Sequence, residues 1–180
     1  SLGHSDCSYD TAMRCFDAGA TMVTHLFNAM SQLGNREPGL VGAALASGVV
    51  SAGLIVDGFH VHPAGMQTAL KAKSGPGSIF LVTDSMSTVG SNIQSFSLNG
   101  REIIRSGGRL TLADGTLAGA ACVRNVRVML GLPLEAALAM ATSTPANAIC
   151  RPDIGSFAPG TPAKLIAIAP DLSSVALTAA

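Results

Sequence analysis

The stretch VVSAGLIVDGFHV, Val49 to Val61, decides the fold. About six apolar or small residues run together and then stop at Asp57, Gly58 and His60, which reads as a buried strand with a polar end. Working upstream, TMVTH (21–25) reads as a short buried strand ending at His25, and downstream SIFLVTDSM (78–86) reads as another ending at Asp84. Helical patterns separate them. GLVGAALASG (39–48) follows a polar Gly/Pro loop, and PAGMQTALKAKSG (63–75) has proline in its first turn and glycine near its end. Ahead of them all, Ser8 to Ala18 is an amphipathic helix with Ala12, Cys15 and Phe16 on one face and Gly19 as its stop. Strand and helix alternate, so the expectation is a parallel α/β arrangement whose crossover helices cover the sheet.

The texture changes beyond Gly90. SFSLNGREIIRSGGRLTLADGTLAG (95–119) alternates and contains NG, GG and DG dipeptides, which predict β-hairpins in place of β/α units. An alanine-rich helix is expected over Leu134 to Ile149, followed by the turn-rich IGSFAPGTPAKLIAIAPD (154–171) with one strand, AKLIAIA (163–169). No internal repeat or low-complexity linker interrupts the chain.

Eleven basic side chains balance eleven acidic ones in 180 residues, which leaves no electrostatic footprint for nucleic acid or an anionic membrane and points to a small partner. With 48% hydrophobic and 12% charged residues, the chain favours buried β/α layers or a surface covered by something else. No apolar run reaches the ~18 residues of a membrane span, and the first residues lack a signal-peptide pattern, so the expected location is the cytoplasm. Cys7, Cys15, Cys122 and Cys150 have no CxxC or zinc-ribbon spacing and are read as free thiols.

The functional signal is positional. His25, Asp57 with His60, and Asp84 each follow a strand, and His4 in GHSD precedes the first helix and so holds the same kind of position. In a parallel α/β barrel the active site is built from that edge, where the βα loops converge. Each residue has a plain structural alternative: a lone histidine is often a hydrogen-bonded core or surface residue, and Asp84 can cap a helix. His62, just before Pro63, is read as structural. Together, two imidazoles and a carboxylate at one rim make a divalent-metal site, and a further carboxylate near activated water serves as general base and then general acid. In the loop FNAMSQLGNREPG (27–39), Arg36 suits an anionic group on a small substrate, or forms a solvated pair with Glu37.

These residues bring a family into view. GHSD, AGATMVTHLFNAM, REPGLVGAAL, LIVDGFHVHP, LVTDSM, DGTLAG and GSFAPGTPAKL stand in an order that resembles the N-acetylglucosamine-6-phosphate deacetylase family of the amidohydrolase superfamily, over nearly the whole chain. The resemblance implies that His4 and His25 are metal ligands, for zinc or iron, and that Asp84 is the catalytic proton acceptor and donor. It implies that Asn28, Ala29, Arg36 and the DGFH run with Asp57 and His60 hold a phosphosugar, the last of these across a homodimer interface. Ala118, Gly119 and Ala120 match a loop that closes over the substrate. The implied reaction is hydrolysis of the acetamide of N-acetylglucosamine 6-phosphate to acetate and glucosamine 6-phosphate, with the metal and His60 stabilising the oxyanion.

The implied fold is the C-terminal half of a metal-dependent hydrolase of the TIM-type (β/α)₈ barrel, with part of a small β-sandwich domain. Residues 1–150 are expected to form the partial barrel, with a hairpin insertion at about 91–117, and residues 151–180 part of the small domain. A whole barrel takes ~250 residues. In the family a glutamate completes the metal site, and neither Glu37, Glu102 nor Glu135 stands in a matching place. The segment after LAGA (117–120) is about five residues shorter than the family's. By itself the 180-residue chain is therefore expected to self-associate and to have little deacetylase activity. Two other readings stay open: a dihydroorotase-like cyclic-amide hydrolase on the same barrel, and a non-catalytic assembly module.

Overall fold

A computed structural model describes residues 1–84, 92–98, 101–106, 109–112, 117–118, 122–157, 159–160, 165–172 and 175–177, of which 98, 101–106, 109–112, 117–118 and 175–177 are described by backbone alone. Three parallel strands, β1 (Met22–Val23), β2 (Ser51–Leu54) and β3 (Ile79–Leu81), pair in chain order with Met22 opposite Ser51 and Ala52 opposite Ile79. Leu2 extends the pairing on the β1 side: its N–H donates to the Met22 carbonyl at 2.8 Å and its carbonyl accepts from Thr24 N–H at 2.8 Å. Four parallel chain segments thus lie side by side. Their crossovers are the helices α1 (Tyr9–Asp17), α2 (Gly39–Ala46) and α3 (Pro63–Ala72).

Local chemistry sets each helix. Ser8 caps α1, its Oγ accepting from Thr11 N–H, and Gly19 at φ 105° ends it in a conformation that only glycine adopts without strain. Helix α2 is apolar all round and Gly39 to Leu45 are all buried, as befits a helix enclosed on every side. Pro63 opens α3, and His62 is its N-cap: Nδ1 accepts from Ala64 N–H at 3.2 Å, so the structural reading of this histidine has a specific cause. Every residue of β2, and Ile55 and Val56 beyond it, is buried, the pattern of a strand covered on both faces. The core gathers Val23, Leu26, Leu40, Val41, Leu54 and Met66 between sheet and helices.

Beyond the parallel layer, β4 (Ser95–Leu98), β5 (Arg101–Ser106), β6 (Arg109–Leu112) and β7 (Leu117–Ala118) form an antiparallel sheet in chain order. The NG, GG and DG dipeptides that announced it lie outside the described residues. Then come α4 (Cys122–Leu130), α5 (Leu134–Ala141), α6 (Ser143–Ala148) and an antiparallel pair, β8 (Ile166–Ile168) with β9 (Val175–Leu177). Helices α5 and α6 pack against β3, and α4 lies between α3 and α5. All four cysteines are free thiols. No helix among the described residues is long and apolar enough to cross a membrane.

Two expectations change. The single helix over Leu134 to Ile149 is two helices broken at Thr142, whose φ of −130° and ψ of −88° leave the helical region. Pro145 is the reason: it has no N–H to give and its ring would collide with the carbonyl four residues back, so the chain restarts a helix that holds Pro145 in its first turn. The strands are also shorter than they read. β1 ends at Val23, two residues before His25, and β3 ends at Leu81, three before Asp84, because the backbone turns away there, with Asp84 itself at φ 48°.

Candidate metal and substrate site

Parallel pairing puts the C-terminal ends of all four segments at one edge. His4 follows Leu2, His25 follows β1, Asp57 and His60 follow β2, and Asp84 follows β3. The His4 and His25 rings meet there, with centres 4.7 Å apart and planes at 88°. Two imidazoles sharing one divalent ion at ~2.1 Å have ring centres roughly 4.6–5.3 Å apart, from a right angle to a tetrahedral one, so the observed separation is compatible with a shared metal. The nearest polar neighbour of the His25 ring nitrogens, Thr24 Oγ1, is 3.4 Å away, too long for a strong hydrogen bond. His25 is buried and His4 exposed, so a ligand reaches the pair from His4's side.

Asp84 and His25 line one hollow together with Val23, Gly53 and Phe80, while His4 opens into a second with Asp6, Ala29 and Ser31. Gly53 keeps the first hollow open, since a Cβ there would stand 3.1 Å from the Val82 side chain and 3.4 Å from the His25 backbone nitrogen. Among the described residues no three His, Cys, Asp or Glu side chains cluster as a complete metal site. His4 and His25 are the residues of this edge that could hold a metal.

Backbone strain gathers at the same edge. His4 (φ 45°), Phe27 (φ 76°), Ala29 (φ 47°) and Asp84 (φ 48°) are non-glycine residues in the left-handed region. Each such residue costs ~1–3 kcal/mol and persists where its surroundings dictate it, commonly at functional sites.

The loop after His25 is held by its own side chains. Asn28 Nδ2 donates to the carbonyls of His25 and Leu26, at 3.2 and 3.1 Å, and Gln32 Nε2 donates to those of Phe27 and Met30, both at 2.7 Å. Ser31 joins three segments: Oγ donates to the Cys7 carbonyl at 2.6 Å and accepts from Leu40 N–H at 2.7 Å. Glu37 is no ion-pair partner of Arg36 among the described residues. Its Oε1 instead accepts from Tyr9 N–H at 2.7 Å and Gly39 N–H at 3.0 Å, and these bonds lower its pKa. Arg36 is exposed at the tip of this anchored loop.

Asp57 and His60 form a compact unit. Asp57 Oδ1 accepts from the N–H groups of Phe59 (2.8 Å) and His60 (2.9 Å), and Oδ2 stands 2.6 Å from His60 Nδ1. Two residues of α4 reach this edge that the sequence did not single out. Asn125 Nδ2 donates to the Val56 carbonyl at 2.8 Å, and Cys122 Sγ to the Val82 carbonyl at 3.3 Å. Burial raises the Cys122 thiol's pKa, the first of its causes. Of the closing loop, Ala118 pairs with Leu110 in the antiparallel sheet, while Gly119 and Ala120 lie outside the described residues.

Comparison with known proteins gives this edge a context. The family model described as the amidohydrolase family matches residues 12–179. The chain is 43% identical over 171 residues to the N-acetylgalactosamine-6-phosphate deacetylase of Shewanella sp. (strain ANA-3), covering 92% of this chain and 43% of that protein. It is 37% identical over 180 residues to the N-acetylglucosamine-6-phosphate deacetylase of Haemophilus influenzae, covering 95% and 46%. It matches the crystal structure of N-acetylglucosamine-6-phosphate deacetylase from Pasteurella multocida with a TM-score of 0.89 at 34% identity, over 98% of this chain and 48% of that one. The chain thus spans about half the length of the curated relatives it matches, and its parallel layer is part of a TIM-type (β/α)₈ barrel. The chain belongs to the amidohydrolase family.

Proposed function

We propose that this chain carries the histidine pair and the catalytic carboxylate of an N-acetylhexosamine 6-phosphate deacetylase, which hydrolyses the acetamide to acetate and a free amino sugar phosphate. The observation behind this is the His4–His25 ring pair at 4.7 Å, with Asp84 lining the same hollow as His25. His4 and His25 would hold a divalent metal, zinc or iron. When bound, such a metal makes a water molecule acidic enough to be deprotonated near neutrality. Asp84 accepts that proton and returns it to the departing amine. Arg36, at the tip of the loop tethered by Glu37, bonds the 6-phosphate through its planar fork. Asn28 and Ala29 shape the wall beside His4, and His60 meets the sugar. Ala118, Gly119 and Ala120 belong to the loop that closes over it.

The reading carries further proposals: a homodimer, a cytoplasmic location, a division into barrel residues 1–150 with the hairpin insertion at about 91–117, and small-domain residues 151–180. N-acetylglucosamine 6-phosphate is the leading substrate. The galacto epimer is a second reading, favoured by the higher identity to the Shewanella relative, 43% against 37%. A dihydroorotase-like activity would have no need of Arg36. The test measures acetate released from both epimers with added zinc or ferrous ion, for the chain and for Asp84→Asn. Release that falls by roughly 10²–10⁴-fold in Asp84→Asn is expected, the usual contribution of a general acid–base group. Release that Asp84→Asn leaves unchanged, or a chain that neither releases acetate nor binds zinc through His4 and His25, overturns the proposal. The comparison is relative, so it holds at low turnover.

A further inference from the structure

We infer that Asp57 does not touch the substrate but is a positioning residue, which holds His60 in the tautomer protonated on Nδ1 and so presents Nε2 as a lone-pair acceptor to a sugar hydroxyl. The carboxylate is buried, its side chain 3% exposed, and both its oxygens are occupied within the chain. Oδ1 takes two backbone N–H groups, from Phe59 and His60, and Oδ2 faces His60 Nδ1 at 2.6 Å. An ionised carboxylate only accepts, so the proton between Oδ2 and the ring sits on Nδ1. In a neutral imidazole the other nitrogen is then an acceptor. The turn that imposes this is itself pinned. Gly58 stands at φ 80°, where a Cβ would also come within 2.5 Å of the Met129 methyl, and Asn125 holds the Val56 carbonyl from outside. An Nε2 lone pair does not stabilise an oxyanion, which separates His60 from the oxyanion role that the family resemblance implies. Only the ligand of His60 rests on the deacetylase reading; the tautomer does not.

The variant Asp57→Asn exploits the geometry. Its amide oxygen remains the acceptor for the two backbone N–H groups, so its NH₂ turns toward His60 Nδ1 and forces the proton to Nε2. Two-bond proton–nitrogen correlation spectra of histidine-labelled protein at mildly alkaline pH, with His60 assigned by its loss in His60→Gln, should show Nδ1–H in the parent chain and Nε2–H in Asp57→Asn. With N-acetylglucosamine 6-phosphate, KM should rise about 10–100-fold in Asp57→Asn, the range typical of losing an orienting partner, while kcat changes less. A parent spectrum with Nε2 protonated, alone or with Nδ1, overturns the inference. So does a switched tautomer with unchanged KM. If Asp57→Asn fails to fold, the parent spectrum alone decides the tautomer. Absence of turnover would count against the deacetylase reading and leave the tautomer measurement intact.

Discussion

Ser31→Ala removes one oxygen and should release two segments that carry the site. The N-cap residue of helix α2 is Pro38, which has no side-chain acceptor to offer. Ser31 Oγ caps it from a distance, accepting from the N–H of Leu40, a residue with no exposed surface, while donating to the Cys7 carbonyl in the loop after His4. Losing a cap costs ~0.5–2 kcal/mol, and the orphaned Cys7 carbonyl adds ~0.5–1.5 kcal/mol. The sum is about 1–3.5 kcal/mol, a large share of the ~5–15 kcal/mol that stabilises a typical domain. For a chain of this size that lowers Tm by about 2–14 °C. Urea unfolding followed by circular dichroism measures it, with Thr68→Ala as the control: among the described residues Thr68 Oγ1 bonds only the Ala64 carbonyl of its own helix, on an exposed face, and its loss should stay within ~0.5 kcal/mol. If Ser31→Ala costs no more than the control, Ser31 is not the cap of α2.

His4→Ala and His25→Ala should each abolish stoichiometric zinc binding in equilibrium dialysis, and binding that survives both substitutions would show the metal to sit elsewhere. Arg36→Ala should raise KM for the phosphosugar at least ~10-fold with kcat little changed, as loss of uniform binding does; an unchanged KM would return Arg36 to the solvated surface. Glu37 should give stability a pH signature. The N–H groups of Tyr9 and Gly39 lower its carboxyl below the usual 4.5, so its contribution is complete above that value and is lost as pH falls through the lower folded one. The stability gap between the parent chain and Glu37→Gln should be flat near neutrality and shrink on acidification, and a gap that grows would contradict the bonding described.

The parallel layer was legible because its signals are local. Val50 to Val56 form an unbroken buried run, Pro63 marks a helix start, and the polar residues that close each run fall at one edge once the strands are parallel. The pairing of His4 with His25 follows from the same pattern. What escaped was information held in long-range bonds. Ser31, Asn125 and Cys122 are unremarkable in sequence and gain meaning from backbone carbonyls and amides far along the chain. Spacing alone leaves open whether Glu37 is a surface partner of Arg36, whereas its partners are two backbone amides, one of them 28 residues away. The strands end short of His25 and Asp84 because the backbone turns away after Val23 and Leu81, a turn that no residue there announces. The break at Thr142 was missed although Pro145 announced it.

The pairing of Leu2 with Val23 places the two imidazoles on neighbouring segments joined by a single crossover, α1. Closing so short a loop costs little entropy, and contacts of this kind form early. Asp84 arrives only after two further crossovers have docked, α2 and α3. Contact order therefore predicts that the edge assembles in sequence, the histidine pair ahead of Asp84. Pulse-labelled hydrogen exchange would register that order as protection of the Thr24 amide ahead of Val82, whose N–H bonds the Leu54 carbonyl across the last strand pair to form.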